Sequence, residues 1–454
     1  TEFNTTGSFS LTSAVEPTFL AGVNTTNVDL TGNPSSITLG KTTNTADVTV
    51  GSALTAAGPI AVYGGDISVN QNLTSTSSGA DILLKGSGSI TVAASKSIVT
   101  NSGDLTLWSN SDGETSGGYI NIANSATLDS RTASDRSNSN TSTATGGGAI
   151  TLGGGSTSTT LASGTVVPTG YALKSTGDQV GGIEFGTPGT GNAGISLLSG
   201  GGNIVLRGKS TTPYTGDSSG ESNGILFNSG ITLDAGMTGD ITLDGQGQNG
   251  TWNAGIYTSY QLLAGNTNLR TVDGDISLIG NSLGGGGSGN RGVMLQTNSG
   301  NVLTIEATGE GSVSIVGDAG SSGNGLLDVY SDNTVHVLAA SGPITVEGRG
   351  SGSFDTTDTM TIGYKADTNV TESTSNIEIR DDVLAWGANG SLQFNTTGTV
   401  TIEPYGDDFS SALSTEKTAF HTGVTGLTIG KSATSADGTN DAAVTLGAAT
   451  IAGP

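Results

Sequence analysis

The sequence predicts an all-β chain wound as a right-handed parallel β-helix, a solenoid with Gly/Ser-rich loops of variable length. Three observations carry this expectation. A short apolar motif returns at a solenoid-like period, aliphatic residues alternate with small polar ones inside it, and glycine supplies 75 of 454 residues. That is far above the roughly 7% of an average protein.

The motif is clearest over residues 202–350. Gly202-Asn203-Ile204-Val205-Leu206-Arg207-Gly208 returns as Gly239-Asp240-Ile241-Thr242-Leu243-Asp244-Gly245 and as Gly274-Asp275-Ile276-Ser277-Leu278-Ile279-Gly280. It returns again from Gly311 and from Gly342, so successive copies start 31 to 37 residues apart. In Ile241-Thr242-Leu243 the alternation buries one side of a pleat and wets the other. Flanking glycines supply the φ that tight corners need, and the Asp or Asn before each strand can bond its own backbone in an Asx turn. A second apolar cluster opens on Asn in Asn223-Gly224-Ile225-Leu226-Phe227, Asn290-Arg291-Gly292-Val293-Met294-Leu295 and Asn324-Gly325-Leu326-Leu327. No helical stripe of useful length interrupts the pattern. One or two coils of about 20 residues per repeat would make a narrow column of aliphatic ladders. This is how 33% apolar and 5% aromatic residues suffice for a core. The competing architecture, antiparallel β-sandwich domains, calls for two-residue hairpins and strands of even spacing; the loops here vary widely in length.

A longer repeat joins the two ends of the chain. Phe3-Asn4-Thr5-Thr6-Gly7 recurs as Phe394-Asn395-Thr396-Thr397-Gly398, and each leads to a Glu-Pro pair, Glu16-Pro17 and Glu403-Pro404. Ile37-Thr38-Leu39-Gly40-Lys41 matches Leu427-Thr428-Ile429-Gly430-Lys431, Ala46-Asp47 matches Ala436-Asp437, and Val48-Thr49-Val50 matches Val444-Thr445-Leu446. Ala57-Gly58-Pro59 matches Ala452-Gly453-Pro454. The organisation expected is one long unit over 1–391 and the start of a second copy over 392–454, a slice of a tandem array continuing one solenoid.

Charge and composition narrow the function classes. With 15 Lys+Arg against 39 Asp+Glu the net charge is −24, so no basic stripe exists for nucleic acid or anionic lipid. The absence of Cys excludes disulfides, thiolate metal sites and Cys nucleophiles. No run approaches the roughly 20 apolar residues of a membrane helix, and the opening Thr1-Glu2-Phe3-Asn4 has no signal-peptide pattern.

The segment Ile37–Lys41, the run Ala-Gly-Pro-Ile followed by Val62-Tyr63-Gly64-Gly65-Asp66-Ile67, and the Gly-Asp-Ile-Thr-Leu strands resemble the filamentous-haemagglutinin-like, β-strand-repeat giant surface proteins of bacteria. The likeness covers nearly the whole chain. It implies an exported, extracellular protein of the cell surface that forms a β-helical stalk for adhesion, aggregation or matrix building. Its partners would be neighbouring copies of the repeat and surface glycans or other cells, with no nucleic acid and no membrane insertion. A self-assembling subunit of a filament or sheath is the alternative, and a polysaccharide-degrading β-helix enzyme the rival class.

Candidate sites are sparse, and no catalytic or cofactor-binding residue is assigned. Asp66, Asp104, Asp240 and Asp275 precede strands, where aligned carboxylates can ladder and offer Ca²⁺ the oxygen ligands it takes; Ca²⁺ is the one cofactor candidate. The Gly-Gly-x-Gly-x-Asp repeat of calcium-binding β-rolls is absent, which favours Asx turns. Two Gly-x-Gly-x-x-Gly matches, Gly245–Gly250 and Gly287–Gly292, lack the helix that dinucleotide binding requires and read as loops. Asp381-Asp382 and Asp407-Asp408 read as solvated charges rather than the paired carboxylates of glycoside hydrolysis. His336 and His421, the two histidines, have no catalytic context. Trp108, Trp252, Trp386, Tyr119 and Tyr257 are placed to stack on glycans or, alternatively, to cover loops and column ends.

Overall fold

The structure, a computed structural model, describes the chain apart from residues 15–16, 139–140, 142, 175–180, 187–193, 212–221, 249–252, 259–264, 283–289, 298–299, 321–326, 330–333, 350–353, 357–358, 387–390, 411, 432–442, 446 and 448–454. Two compact units account for it: Thr1–Thr212 with Ile225–Gly239, and Pro213–Gly224 with Asp240–Pro454.

The alternation seen in the sequence becomes a three-sided coil. In the first unit Ile60–Gly64, Ile67–Val69 and Leu73–Ser78 form three consecutive sides. The next coil lays Ile82–Gly86, Ile90–Val92 and Ser97–Asn101 on them, parallel and in register. Each strand therefore pairs with its counterpart one coil away, the signature of a parallel β-helix. Ile60, Ile82 and Leu105 head successive coils 22 and 23 residues apart. On the first face Ile37, Ile60, Ile82, Leu105, Ile150 and Ile204 stack in one inward row, none more than 1% exposed. A coil cannot dry its own inward side chains; the coils above and below do so, at about 1.5–3 kcal/mol for each fully buried Leu or Ile.

The second unit repeats this plan with longer loops. Ile241–Gly247, Ile276–Ser282, Val313–Asp318, Ile344–Arg349, Ile377–Arg380, Thr399–Glu403 and Gly426–Ile429 make its first face. The 31–37-residue repeat is thus one coil rather than one or two. Its third strand, as in Thr267–Thr271, Val302–Ala307 and Thr334–Ala339, escaped the motif because its outward residues differ from coil to coil. Helix is confined among the described residues to Ala133–Ser137, capped by Thr132, whose Oγ1 accepts the Asp135 N–H.

Glycine does more here than turn corners. Gly245 and Gly280 lie within first-face strands and abut the backbone of second-face strands. A methyl on Gly245 would come 2.0 Å from the Gly255 carbonyl oxygen, and one on Gly280 would come 2.1 Å from that of Gly292. The first Gly-x-Gly-x-x-Gly match therefore lies on a strand through Gly247, not in a loop. Its remainder at 249–250, and 287–289 of the second match, fall outside the described residues.

The long repeat carries equivalent local structure at both of its copies. Phe3 lies on Glu2–Asn4 and Phe394 on Ser391–Asn395. Both lead through the same turn, in which Thr5 Oγ1 accepts the Gly7 N–H at 3.0 Å and Thr396 Oγ1 that of Gly398 at 2.9 Å. Gly40 and Gly430 have φ of 78° and 90°, and they donate to Leu11 O and Ile402 O, each at 2.8 Å. The matches Glu16, Ala436-Asp437, Leu446 and Ala452-Gly453-Pro454 lie outside the described residues.

Candidate functional site

The four aspartates do not converge. Asp66 is exposed; its N–H donates to Asp47 Oδ1 at 3.0 Å, and its own Oδ1 accepts the Ser89 N–H at 2.7 Å. At another corner the Asp104 N–H donates to Asp81 Oδ1 at 2.8 Å, and Asp104 Oδ1 accepts the Ala149 N–H at 2.7 Å. In the second unit Asp275 N–H donates to Asp240 Oδ1, and Ser312 N–H to Asp275 Oδ1, both at 2.9 Å. These contacts correct the expected Asx turns: each carboxylate reaches the N–H one coil on, not its own backbone. The geometry explains this. The next coil stands only about 4.8 Å away, so its backbone N–H lies within reach of each carboxylate. Among the described residues no group of three or more His, Asp or Glu is placed to hold a metal ion.

Other candidates are likewise structural. Asp381 Oδ1 accepts the Val383 N–H and Asp382 Oδ1 that of Gly406, so this pair shapes corners. Asp407 is exposed and Asp408 half-buried. Arg380 sits in register between Glu347 and Glu403 and pairs with Glu378 at 2.6 Å and Glu403 at 2.8 Å. His421 meets the edge of the Tyr364 ring, while His336 is buried on another strand. Tyr257 is buried and Tyr119 half-buried; Trp252 and the Trp386 side chain lie outside the described residues.

Trp108 leads to a place where the coil plan is broken. Ile150–Thr160 overruns its corner and turns back antiparallel as Val166–Gly170, with Ser158 opposite Pro168 and Thr160 opposite Val166. This side hairpin folds over the outward surface of the first face. Its Gly155 carbonyl accepts the Trp108 indole N–H at 2.7 Å, and Lys85 stands 3.7 Å above the Trp108 ring. Trp108 is only 4% exposed, packed beneath the hairpin and closed to glycan stacking. Two carboxylates peg the tip: Ser163 Oγ donates to Asp104 Oδ2 at 2.5 Å and Thr165 Oγ1 to Asp81 Oδ2 at 2.8 Å. Burial under this cover pushes the Asp81 carboxyl up, against the pull of its hydrogen bonds, and pushes the Lys85 ammonium down.

Asp104→Ala is therefore expected to free the hairpin tip. It removes the acceptor of the half-buried Ala149 N–H and of the exposed Ser163 hydroxyl, at about 0.5–1.5 kcal/mol for each hydrogen bond lost. Limited proteolysis should cut at residues 161–165 well before it does in the parent chain. Equal protection of the tip would show that the peg is not what holds it.

Between the hairpin base and the returning chain lies a crevice of about 310 Å³ lined by Asn110, Ser156, Thr157, Tyr171, Lys209 and Thr211. Ala172–Lys174 forms one wall by pairing parallel with Gly208–Ser210, and Leu173 exchanges backbone hydrogen bonds with Gly118. Sequence reading missed these residues because no spacing links Asn110 to Lys209. The only signal was the unusually long polar stretch that interrupts the motif after Gly153.

No protein-family model, curated protein or solved structure matches the chain. No helix among the described residues is long and apolar enough to cross a membrane.

Proposed function

We propose that this chain is a non-catalytic structural segment of a giant extracellular bacterial adhesin or surface fibre, acting as a rigid β-helical stalk. The observation that carries this reading is the in-register stacking of equivalent strands through each unit. A continuous hydrogen-bonded ladder with an aliphatic interior resists bending at every coil, which is what a spacer needs. The recurrence of the 3–50 strand arrangement at 394–445 suits a protein lengthened by tandem duplication. The acidic surface keeps such segments apart in solution at low salt.

A self-assembling filament or sheath subunit is the second reading. The same in-register, parallel pairing that stacks coils within each unit would also let separate chains join edge to edge.

Gold-labelled antibody against the purified chain, viewed by electron microscopy on the producing cells, tests both. Label along isolated surface whiskers supports the stalk, and label on ordered multi-chain fibres supports the subunit. Label confined to the cell interior, or cleavage of a uronate polymer by the purified chain, would overturn both.

A further inference from the structure

The crevice beside the side hairpin is open to solvent and lined mostly by polar side chains with one aromatic ring, and its volume is at the low end for ligand clefts. We propose that it binds one carboxylate-bearing sugar residue, with the ring against Tyr171 and the carboxylate on Lys209. This goes beyond the stalk reading and does not depend on it.

Three features point to that ligand. Tyr171 offers an aromatic face, and such faces pack against the apolar C–H side of a pyranose while the phenol keeps a polar handle. Ser156, Thr157 and Thr211 supply hydroxyls, groups that both donate and accept, as a polyol demands. Asn110, only 4% exposed, adds a polar residue to the lining. Its backbone is held firmly, donating to Gly88 O and accepting from Gly155 N, each at 3.1 Å.

Lys209 selects the acid. Among the described residues it makes no ion pair with a carboxylate, and no carboxylate lines the crevice. A single ammonium with several hydroxyls matches a sugar acid better than a phosphate or a bare anion, which would draw several N–H donors or an Arg fork. The overall negative field disfavours a polyanion, so one terminal acidic residue is the expected occupant.

Titration calorimetry of the full chain with methyl β-glucuronoside, methyl β-glucoside and acetate tests the proposal. The glucuronoside is expected to bind with a Kd of about 1–10 mM, at least about tenfold tighter than either control. Lys209→Gln should weaken the glucuronoside about tenfold and leave the glucoside unchanged, while Tyr171→Ala should weaken both sugars. Circular dichroism melts confirm that the variants fold. No glucuronoside binding at about 10 mM, acetate binding as tightly, or indifference to both substitutions would each overturn it. None of these outcomes bears on the stalk reading, which microscopy on cells decides separately.

Discussion

Leu84→Ala is expected to destabilise the first unit by about 2–5 kcal/mol, whereas Leu83→Ala, one residue earlier, should cost about 1 kcal/mol or less. The two leucines share a strand, Ile82–Gly86, and differ only in the side of the pleat they occupy. Leu84 has no exposed surface and stacks between Val62 below and Leu107 above. Truncating it opens a void that neither neighbour fills, because each is held in register by its own ladder. Leu83 lies half-exposed on the outward surface between Ala61 and Thr106, where water fills the space left behind. Hydrogen exchange of the Ile82–Gly86 amides, read by mass spectrometry, reports the local cost without assuming that both units unfold together. Comparable losses of protection in the two variants would refute a dry interior column.

Acid is expected to weaken the second unit through His336. On Thr334–Ala339 the residues Val335 and Val337 face the core, while His336 points outward between Thr304 and Thr361. It is nonetheless buried, with Nδ1 lacking a partner. The reason is a loop that crosses this face after Thr359–Gly363. Lys365 closes the loop onto Val370, and Asn369 Nδ2 donates to Glu306 Oε1 at 2.7 Å, where Arg270 approaches at 3.5 Å. The charged groups set around His336 are Lys365 and Asp367, which pair with each other in the loop, and the Glu306–Arg270 pair on the adjoining strands. Burial first, and then Lys365, lower the imidazole to about pH 4, with Asp367 pulling the other way.

The sign follows from that direction. Above about pH 6.5 the imidazole is neutral folded and unfolded alike, and it adds no pH dependence. Between 6.5 and 4 the unfolded chain takes up a proton that the folded chain refuses, so stability falls by about 1.4 kcal/mol per pH unit. The total is roughly 3 kcal/mol, complete near pH 4. Carboxylates titrate in the lower part of this range, so the difference between the parent chain and His336→Phe isolates the histidine. Urea midpoints at pH 7, 6, 5 and 4 should diverge progressively in favour of the variant. Parallel curves would show that the ring reaches water.

The loop over His336 marks the limit of what periodicity reveals. Val335 and Val337 announce an inward row by their spacing alone. Nothing in Thr-Val-His-Val distinguishes an outward histidine that is covered from one that is wet, because the cover comes from 30 residues later. Trp108 makes the same point. As an outward aromatic on a strand it reads either as a glycan platform or as cover for loops, and only the hairpin folded across it, fixed by Asp104 and Asp81, decides for packing. The aspartate corners differ in kind. Their positions were legible, but the partner of each carboxylate was assigned to its own turn, since a linear reading carries no measure of how close the next coil lies.

By itself the sequence determined the winding. Alternating Ile, Leu and Val with Thr and Ser fixes which side of every strand is dry, glycine at the seams permits backbones to touch, and repetition makes each strand the only neighbour the next can match. Those are local rules, enforced at every coil by the same side-chain chemistry, so they survive without knowledge of distant contacts. Only the tertiary structure decided where the surface is interrupted. The side hairpin, its crevice and the covering loop are made by segments tens of residues apart whose polar groups meet through chain reversal. Such meetings depend on loop paths that no period encodes.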